Sequence, residues 1–223
     1  MDGILEKVTA FITNGEGAAT RLLLFEHPTT GIQIPAGTVE EAESHSQAAL
    51  REAAEESGLT GIELHKHVGF ADTQLPDDRY AILHKTKVYS RPNRTSFDWA
   101  EFRRGILCTC TRRENAFLLL TYTEYDRYPD PQYVTYSITG WVPSEMVTQR
   151  QRRHYYHLVY RGDSADSWVR FSDHHNFRPF WAPLANLPDV IEPQRVWLDY
   201  VMKELGYTFS SAKSVQSVDR LES

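Results

Sequence analysis

Residues 37–59, GTVEEAESHSQAALREAAEESGL, constrain this chain most, because few folds accommodate so many acids beside so many small residues. Read as a helix at about 100° per residue, the segment gathers Glu52, Glu55 and Glu56 within roughly one third of its circumference. Ala49, Leu50, Ala53, Ala54 and Ser57 take the opposite face, which is small enough to lie close against a sheet. Arg51 falls at the border, within reach of an acid from the preceding loop. Ser44 and Gln47 have the spacing of a capping box, and Gly58 suits the left-handed turn that ends a helix.

Like charges three and four residues apart repel one another. Solvent alone can screen them on an ordinary surface helix. A divalent cation removes the repulsion more fully, and hard carboxylate oxygens suit Mg²⁺ or Mn²⁺.

The whole stretch resembles the Nudix box, G-x5-E-x7-R-E-U-x-E-E-x-G-U, where U is a bulky aliphatic residue. Gly37, Glu43, Arg51, Glu52, Glu55, Glu56 and Gly58 occupy every fixed position. Leu59 fits the second aliphatic position, and the smaller Ala53 stands at the first. The resemblance implies a metal held by Glu52, Glu55, Glu56 and the Gly37 carbonyl. It also implies that Arg51 orients a neighbouring carboxylate, with Glu43 as partner. A glycine at position 37 has its own physical reason, since a backbone without a side chain can approach an ion closely.

Strand-like runs at residues 8–13, 21–26 and 62–70 surround this helix, with a short run at 32–34 that Pro35-Ala36-Gly37 interrupts. Further runs at 153–160, 168–171 and 178–181 precede a helix over 193–205. That order is the one expected of the Nudix fold, an α/β/α sandwich with a mixed sheet. The helix carries Trp197, Leu198, Val201 and Leu205 as a stripe that reads as core packing.

Between these halves lies a segment far longer than an ordinary loop. Its runs at 82–89, 105–111, 116–122 and 133–142, separated by polar turns, predict a small all-β unit. The strings Ser90-Arg91-Pro92, Glu114-Asn115-Ala116-Phe117 and Thr139-Gly140-Trp141-Val142-Pro143 are similar to those of bacterial SH3-like domains. The division is therefore residues 1–74 and 149–208 for the Nudix domain, 75–148 for the SH3-like insertion, and 209–223 for a disordered tail. The aromatics Tyr122, Tyr125, Tyr128, Tyr133, Tyr136 and Trp141 read first as residues that fill the interior and cover the edges of a small barrel, and otherwise as a stacking surface. The insertion is expected to cover the active site or to mediate a homodimer.

The formal charge of −6 argues against general nucleic-acid binding. It suits a small anionic nucleotide held through a metal. Cys108 and Cys110 match no zinc spacing and read as free thiols. The N-terminal residues have no signal-peptide pattern and no apolar run reaches membrane length, so a cytoplasmic location is the expectation.

The resemblance implies hydrolysis of the diphosphate linkage in a nucleoside diphosphate derivative. Ile34-Pro35-Ala36-Gly37 is similar to the entry to the box in ADP-ribose pyrophosphatases, which favours ADP-ribose or a nucleotide sugar. A nucleoside triphosphate, or a non-catalytic sensing domain whose insertion recruits a partner, are the alternatives. The resemblance implies a general base that is either a box glutamate or an acid from a later loop, where Asp163, Asp166 and Asp173 lie. Glu52 and Asp173 are the catalytic acids expected, and Asp173, beside His174 and His175, is the choice of base.

Overall fold

The computed structural model describes residues 3–127, 130–172 and 175–207. The first half holds strands β1 (Leu5–Asn14), β2 (Arg21–His27), β3 (Gly31–Gln33) and β4 (Ala36–Thr38), helix α1 (His45–Ser57) and strand β5 (Glu63–Gln74). There follow β6 (Arg79–Ile82), β7 (Thr86–Tyr89), β8 (Asp98–Phe102), β9 (Leu107–Glu114), β10 (Phe117–Tyr125), β11 (Val134–Pro143) and β12 (Val147–Thr148). The last part holds β13 (Arg150–Val159), β14 (Arg170–Ser172), β15 (His175–Pro183) and helix α2 (Gln194–Glu204).

The first sheet has the order β14-β15-β2-β1-β13-β5, with β3 on β2 and β4 on β1. β1 and β13 run parallel while the other pairs are antiparallel, so the sheet is mixed. Alternation along β1 decides what each face meets. Val8, Ala10 and Ile12 pack on Ala48, Ala49 and Ala53 of α1. Phe11, with Leu22, Leu24 and Ile34, packs on Leu198, Val201 and Met202 of α2. Ala53 is fully buried there, and its small side chain brings α1 close to the sheet.

The second sheet, β12-β6-β9-β10-β11-β7-β8, lies entirely between Arg79 and Thr148 and is antiparallel throughout. Six of its strands send Tyr80, Ile82, Val88, Phe102, Cys108, Leu118, Leu120, Ile138 and Val142 into one core, so it curls around its own interior. Cys108 and Cys110 are free thiols, and burial pushes the Cys108 thiol up to about 12. The apolar run at 117–120 does not alternate because both its faces are covered. Leu118 and Leu120 enter the main core, while Phe117 joins Tyr89 and Trp141 in a second cluster.

Two expectations need correction. The run at 82–89 is two strands, because the Leu83 and His84 amides turn aside to bond the Met146 carbonyl. Pro35-Ala36-Gly37 does not merely break a run, since Ala36–Thr38 pairs with β1 as β4. Of the aromatics, Trp141 is buried, whereas Tyr125, Tyr133 and Tyr136 are more than half exposed. Tyr128 and the tail at 209–223 lie outside the described residues. Strands β8 and β12 carried no readable apolar pattern, the first mixing Asp98 and Glu101 with Trp99, Ala100 and Phe102 without alternation and the second being two residues long.

The two sheets meet where β5 leaves and β13 returns. Gln74 pairs with Arg150, and the Leu75 amide bonds the Gln149 carbonyl at 2.7 Å. Leu5, Ala81 and Leu83 bury one another across this junction.

His157 of β13 is buried, with Nε2 2.8 Å from Thr13 Oγ1. Burial first, then His65 and Lys66, push its pKa down from 6.5 to about 4. The unfolded chain takes up this proton near pH 6.5 and the folded chain only near pH 4, so stability falls as pH drops through that window. The expected loss is on the order of 2 kcal/mol. Urea unfolding of the wild type and His157→Gln at pH 7 and pH 4.5 checks this: the variant should have the flatter pH dependence.

Candidate functional site

Helix α1 begins at a capping box in which the Ser44 hydroxyl accepts from the Gln47 amide and the Gln47 side chain accepts from the Ser44 amide. It ends at Gly58, whose φ of 74° lies in the left-handed region. These two stops fix which residues point away from the sheet.

Arg51 lies at the centre of the outward face. Its Nε and Nη2 donate to the two carboxylate oxygens of Glu43 at 2.9 and 3.0 Å. Nη1 donates to Glu52 Oε1 at 2.8 Å and to Glu55 Oε2 at 3.2 Å. Nη2 also reaches the Thr38 carbonyl at 3.1 Å. The guanidinium holds the Glu43 carboxyl below the usual carboxylate range, and Glu43 in turn raises the Arg51 pKa. One cation thus spans three acids and ties the box loop to α1.

Glu56 turns the other way, accepting from the Ala36 amide at 3.1 Å. Gly37 sits directly against Glu52. A Cβ added there would lie 1.8 Å from Glu52 Oε1, so no side chain fits between that carboxylate and the β4 backbone. The carboxylates of Glu52 and Glu56 therefore flank the strand that carries Gly37. Hard oxygen donors on a helix, beside a backbone cradle that excludes any side chain, fit Mg²⁺ or Mn²⁺.

Two cations from the sheet, not singled out in the sequence, lie near this group. Lys7 of β1 is pushed down to about 8 by burial and then by Arg153, with Glu52 opposing the drop. Arg153 of β13 is pushed down to about 10, again by burial first. Its guanidinium lies 3.9 Å from the centre of the Trp197 ring and donates to the Val8 carbonyl at 2.9 Å.

A cleft of about 510 Å³ opens between the box and the second sheet. Arg51, Glu52 and Glu55 line one wall, and Arg103, Arg104 and Tyr122 line the other. Arg104 Nε donates to the Val39 carbonyl at 2.9 Å, and Nη1 donates to the Leu83 carbonyl. Arg104 thereby locks the inserted sheet onto the box loop, while Arg103 is exposed. Gly105 approaches Thr38 so closely that a Cβ would fall 2.5 Å from its hydroxyl. No spacing in the sequence relates Arg103 or Tyr122 to the box; only the docking of the two sheets does.

Two of the late-loop acids, Asp163 and Asp166, fall elsewhere. Asp166 pairs with Arg21 at 2.8 Å, and the Asp163 carbonyl accepts from the Tyr160 hydroxyl. Arg170 Nε donates to the Glu55 carbonyl at 3.1 Å, which sets β14 against the last turns of α1. Asp173 and His174 lie outside the described residues. Among the described residues, one trio of possible ligand atoms lies within 4.8 Å of one another, and it is Glu6, His45 and His154 rather than the box glutamates.

Residues 5–97 match the model of the NUDIX domain family. Among solved structures the chain is similar to Ap4A hydrolase of C. elegans, at 12% identity over 92% of this chain and 97% of that one, with a TM-score of 0.41. It is also similar to the NUDIX domain of Shewanella oneidensis NrtR, complexed with ADP ribose, at 12% identity over 92% and 90%, with a TM-score of 0.44. A third is the dihydroneopterin triphosphate pyrophosphohydrolase of E. coli, at 13% identity over 89% and 95%, with a TM-score of 0.39. No curated protein matches. Among the described residues no helix is long and apolar enough to cross a membrane. Residues 5–97 thus resemble a Nudix domain, and that match together with the complete box supports a pyrophosphohydrolase enzyme.

The Arg51 side chain is 24% exposed and that of Glu43 is 15% exposed, so breaking this pair leaves a poorly solvated carboxylate. Arg51→Met should lower stability by about 2 kcal/mol, less than the loss of a fully buried pair. Glu43→Gln, which keeps one acceptor for the guanidinium, should lose less than half as much by urea denaturation.

Proposed function

We propose that this Nudix-domain chain hydrolyses the diphosphate linkage of a nucleoside diphosphate derivative, with ADP-ribose or a nucleotide sugar as the favoured class. The observation that carries the reading is the joint placement of Gly37, Glu52 and Glu56, where a hydrogen replaces the side chain that would fill the cradle. There the Gly37 carbonyl and the carboxylates of Glu52, Glu55 and Glu56 would hold Mg²⁺ or Mn²⁺, which when bound would neutralise phosphate charge and acidify a water.

The chain's own residues supply the rest. Arg51 keeps Glu52 and Glu55 aligned through a fixed guanidinium fork, with Glu43 as its anchor. Glu52 is the proposed base that receives the water's proton. Arg103 meets phosphate across the cleft and Tyr122 offers a ring to the base or sugar. The insertion, residues 75–148, is proposed to be an SH3-like unit that forms one wall of the active site. The substrate class rests on Ile34-Pro35-Ala36-Gly37, whose β4 pairing brings the Gly37 backbone beside the acids.

A panel of ADP-ribose, nucleotide sugars, dinucleoside polyphosphates and nucleoside triphosphates, assayed with Mg²⁺, tests the reading. Turnover should be confined to a diphosphate ester class, and Glu56→Gln should lose about a hundredfold or more in kcat. A chain that turns over nothing, or a variant as active as the wild type, sinks the proposal. Arg103→Ala should raise KM about tenfold with kcat nearly unchanged, the pattern of lost ground-state binding. If KM stays put, the insertion forms no part of the phosphate site.

A further inference from the structure

A second group of metal-binding side chains lies beneath the start of α1, apart from the box. Glu6 of β1, His45 of α1 and His154 of β13 point their ligand atoms at one another. His154 Nε2 lies 3.0 Å from Glu6 Oε2, and His45 Nε2 lies 3.9 Å from the same oxygen. The rings of His45 and His154 stack with centroids 3.8 Å apart and planes 18° from parallel.

We propose that Glu6, His45 and His154 form a binding site for a zinc-type transition-metal ion, separate from the hard-cation site of the Nudix box. Two imidazoles and one carboxylate are a donor set that suits Zn²⁺, Co²⁺ or Ni²⁺ over Mg²⁺. Around a tetrahedral ion with bonds near 2.0–2.1 Å, ligand atoms stand about 3.4 Å apart. The two observed separations from Glu6 bracket that edge, and the half-exposed His45 ring must turn out of its stack on His154 for both Nε2 lone pairs to meet one ion.

Each ligand is held by regular structure. β1 and β13 pair in parallel with Val8 opposite His154, which sets Glu6 and His154 on neighbouring strands. His45 is the first residue of α1, whose position the Ser44–Gln47 box fixes. A further partner orients the deeper ring: His67 Nε2 lies 3.3 Å from His154 Nδ1. Such a contact on the far ring nitrogen sets the tautomer that leaves Nε2 free for a metal. An ion here would replace the 3.0 Å hydrogen bond between His154 Nε2 and Glu6, with the ring's one proton moving to Nδ1, where His67 Nε2 accepts it.

The site is reachable, since the His45 side chain is 39% exposed and that of Glu6 25%, while His154 is 9% exposed. Three protein ligands leave a fourth position for water or a ligand. The seven residues from His45 to Glu52 place the two sites about 10 Å apart along α1.

The test uses the full chain carrying Glu52→Gln and Glu56→Gln, so that the box does not compete. Titration with Co²⁺ should give the intense visible absorption of a tetrahedral site at one equivalent, bleached by Zn²⁺. Adding His45→Ala should weaken Co²⁺ binding by about a hundredfold or more, and His67→Gln by about tenfold to a hundredfold. Zn²⁺ should raise the unfolding temperature only while His45 is present. No visible band, or a band indifferent to His45→Ala, overturns the proposal. His45 is half exposed on the first helical turn, so that variant should keep its circular dichroism; His154→Gln is a second check where it folds.

Discussion

The contact between Arg51 and its three acids organises this molecule. Without it, a helix face carrying Glu52, Glu55 and Glu56 beside a loop with Glu40, Glu41 and Glu43 would push itself apart. The guanidinium meets Glu43 through two parallel hydrogen bonds and reaches Glu52, Glu55 and the Thr38 carbonyl from its remaining donors. A lysine could not do this, since an ammonium has neither the planar fork nor the reach. The arrangement keeps α1, β4 and the intervening loop as one rigid piece. It stabilises the acids without neutralising them all, which leaves a site still attractive to a cation.

The second organising fact is how the sheets join. The second sheet takes the place of the turn between two antiparallel neighbours. β5 and β13 shift register twice near Tyr156 and His157 but then stay in register from Gly69 and Tyr155 to their last pair, Gln74 and Arg150. The inserted sheet then folds back so that Arg104 bonds the Val39 carbonyl and Gly105 presses on Thr38. Its inner core and the main core are separate clusters, joined by little more than Leu5, Ala81 and Leu83. A cleft is what remains when two such bodies touch at a hinge line and at one loop.

What the sequence made legible follows the range of each interaction. The helix from its capping box to Gly58, its alanine face and the Arg51–Glu43 neighbourhood were readable because the decisive partners lie within a few turns of one another. Helix α2 could be placed from its apolar stripe, whereas the mixed sheet was implied only by the resemblance to the Nudix fold. The seven-stranded layout was readable only as strands and turns, and β8 escaped because Asp98, Trp99 and Glu101 show no apolar alternation. Arg103, Tyr122, Lys7 and Arg153 meet the box only through tertiary packing. The Glu6, His45 and His154 group is less visible still, since its members come from three elements far apart in the chain.

The single junction at Gln74 and Arg150 also has a mechanical consequence. A body tethered by one pair of adjacent strands can rock about the ribbon axis while slide and twist are resisted by its paired backbone bonds. The loop from Thr38 to Val39, gripped by Arg104, would act as the stop that limits that swing. The width of the mouth over the acids is then set by one rotational coordinate, so crowding at that stop would throttle entry without altering any acid below.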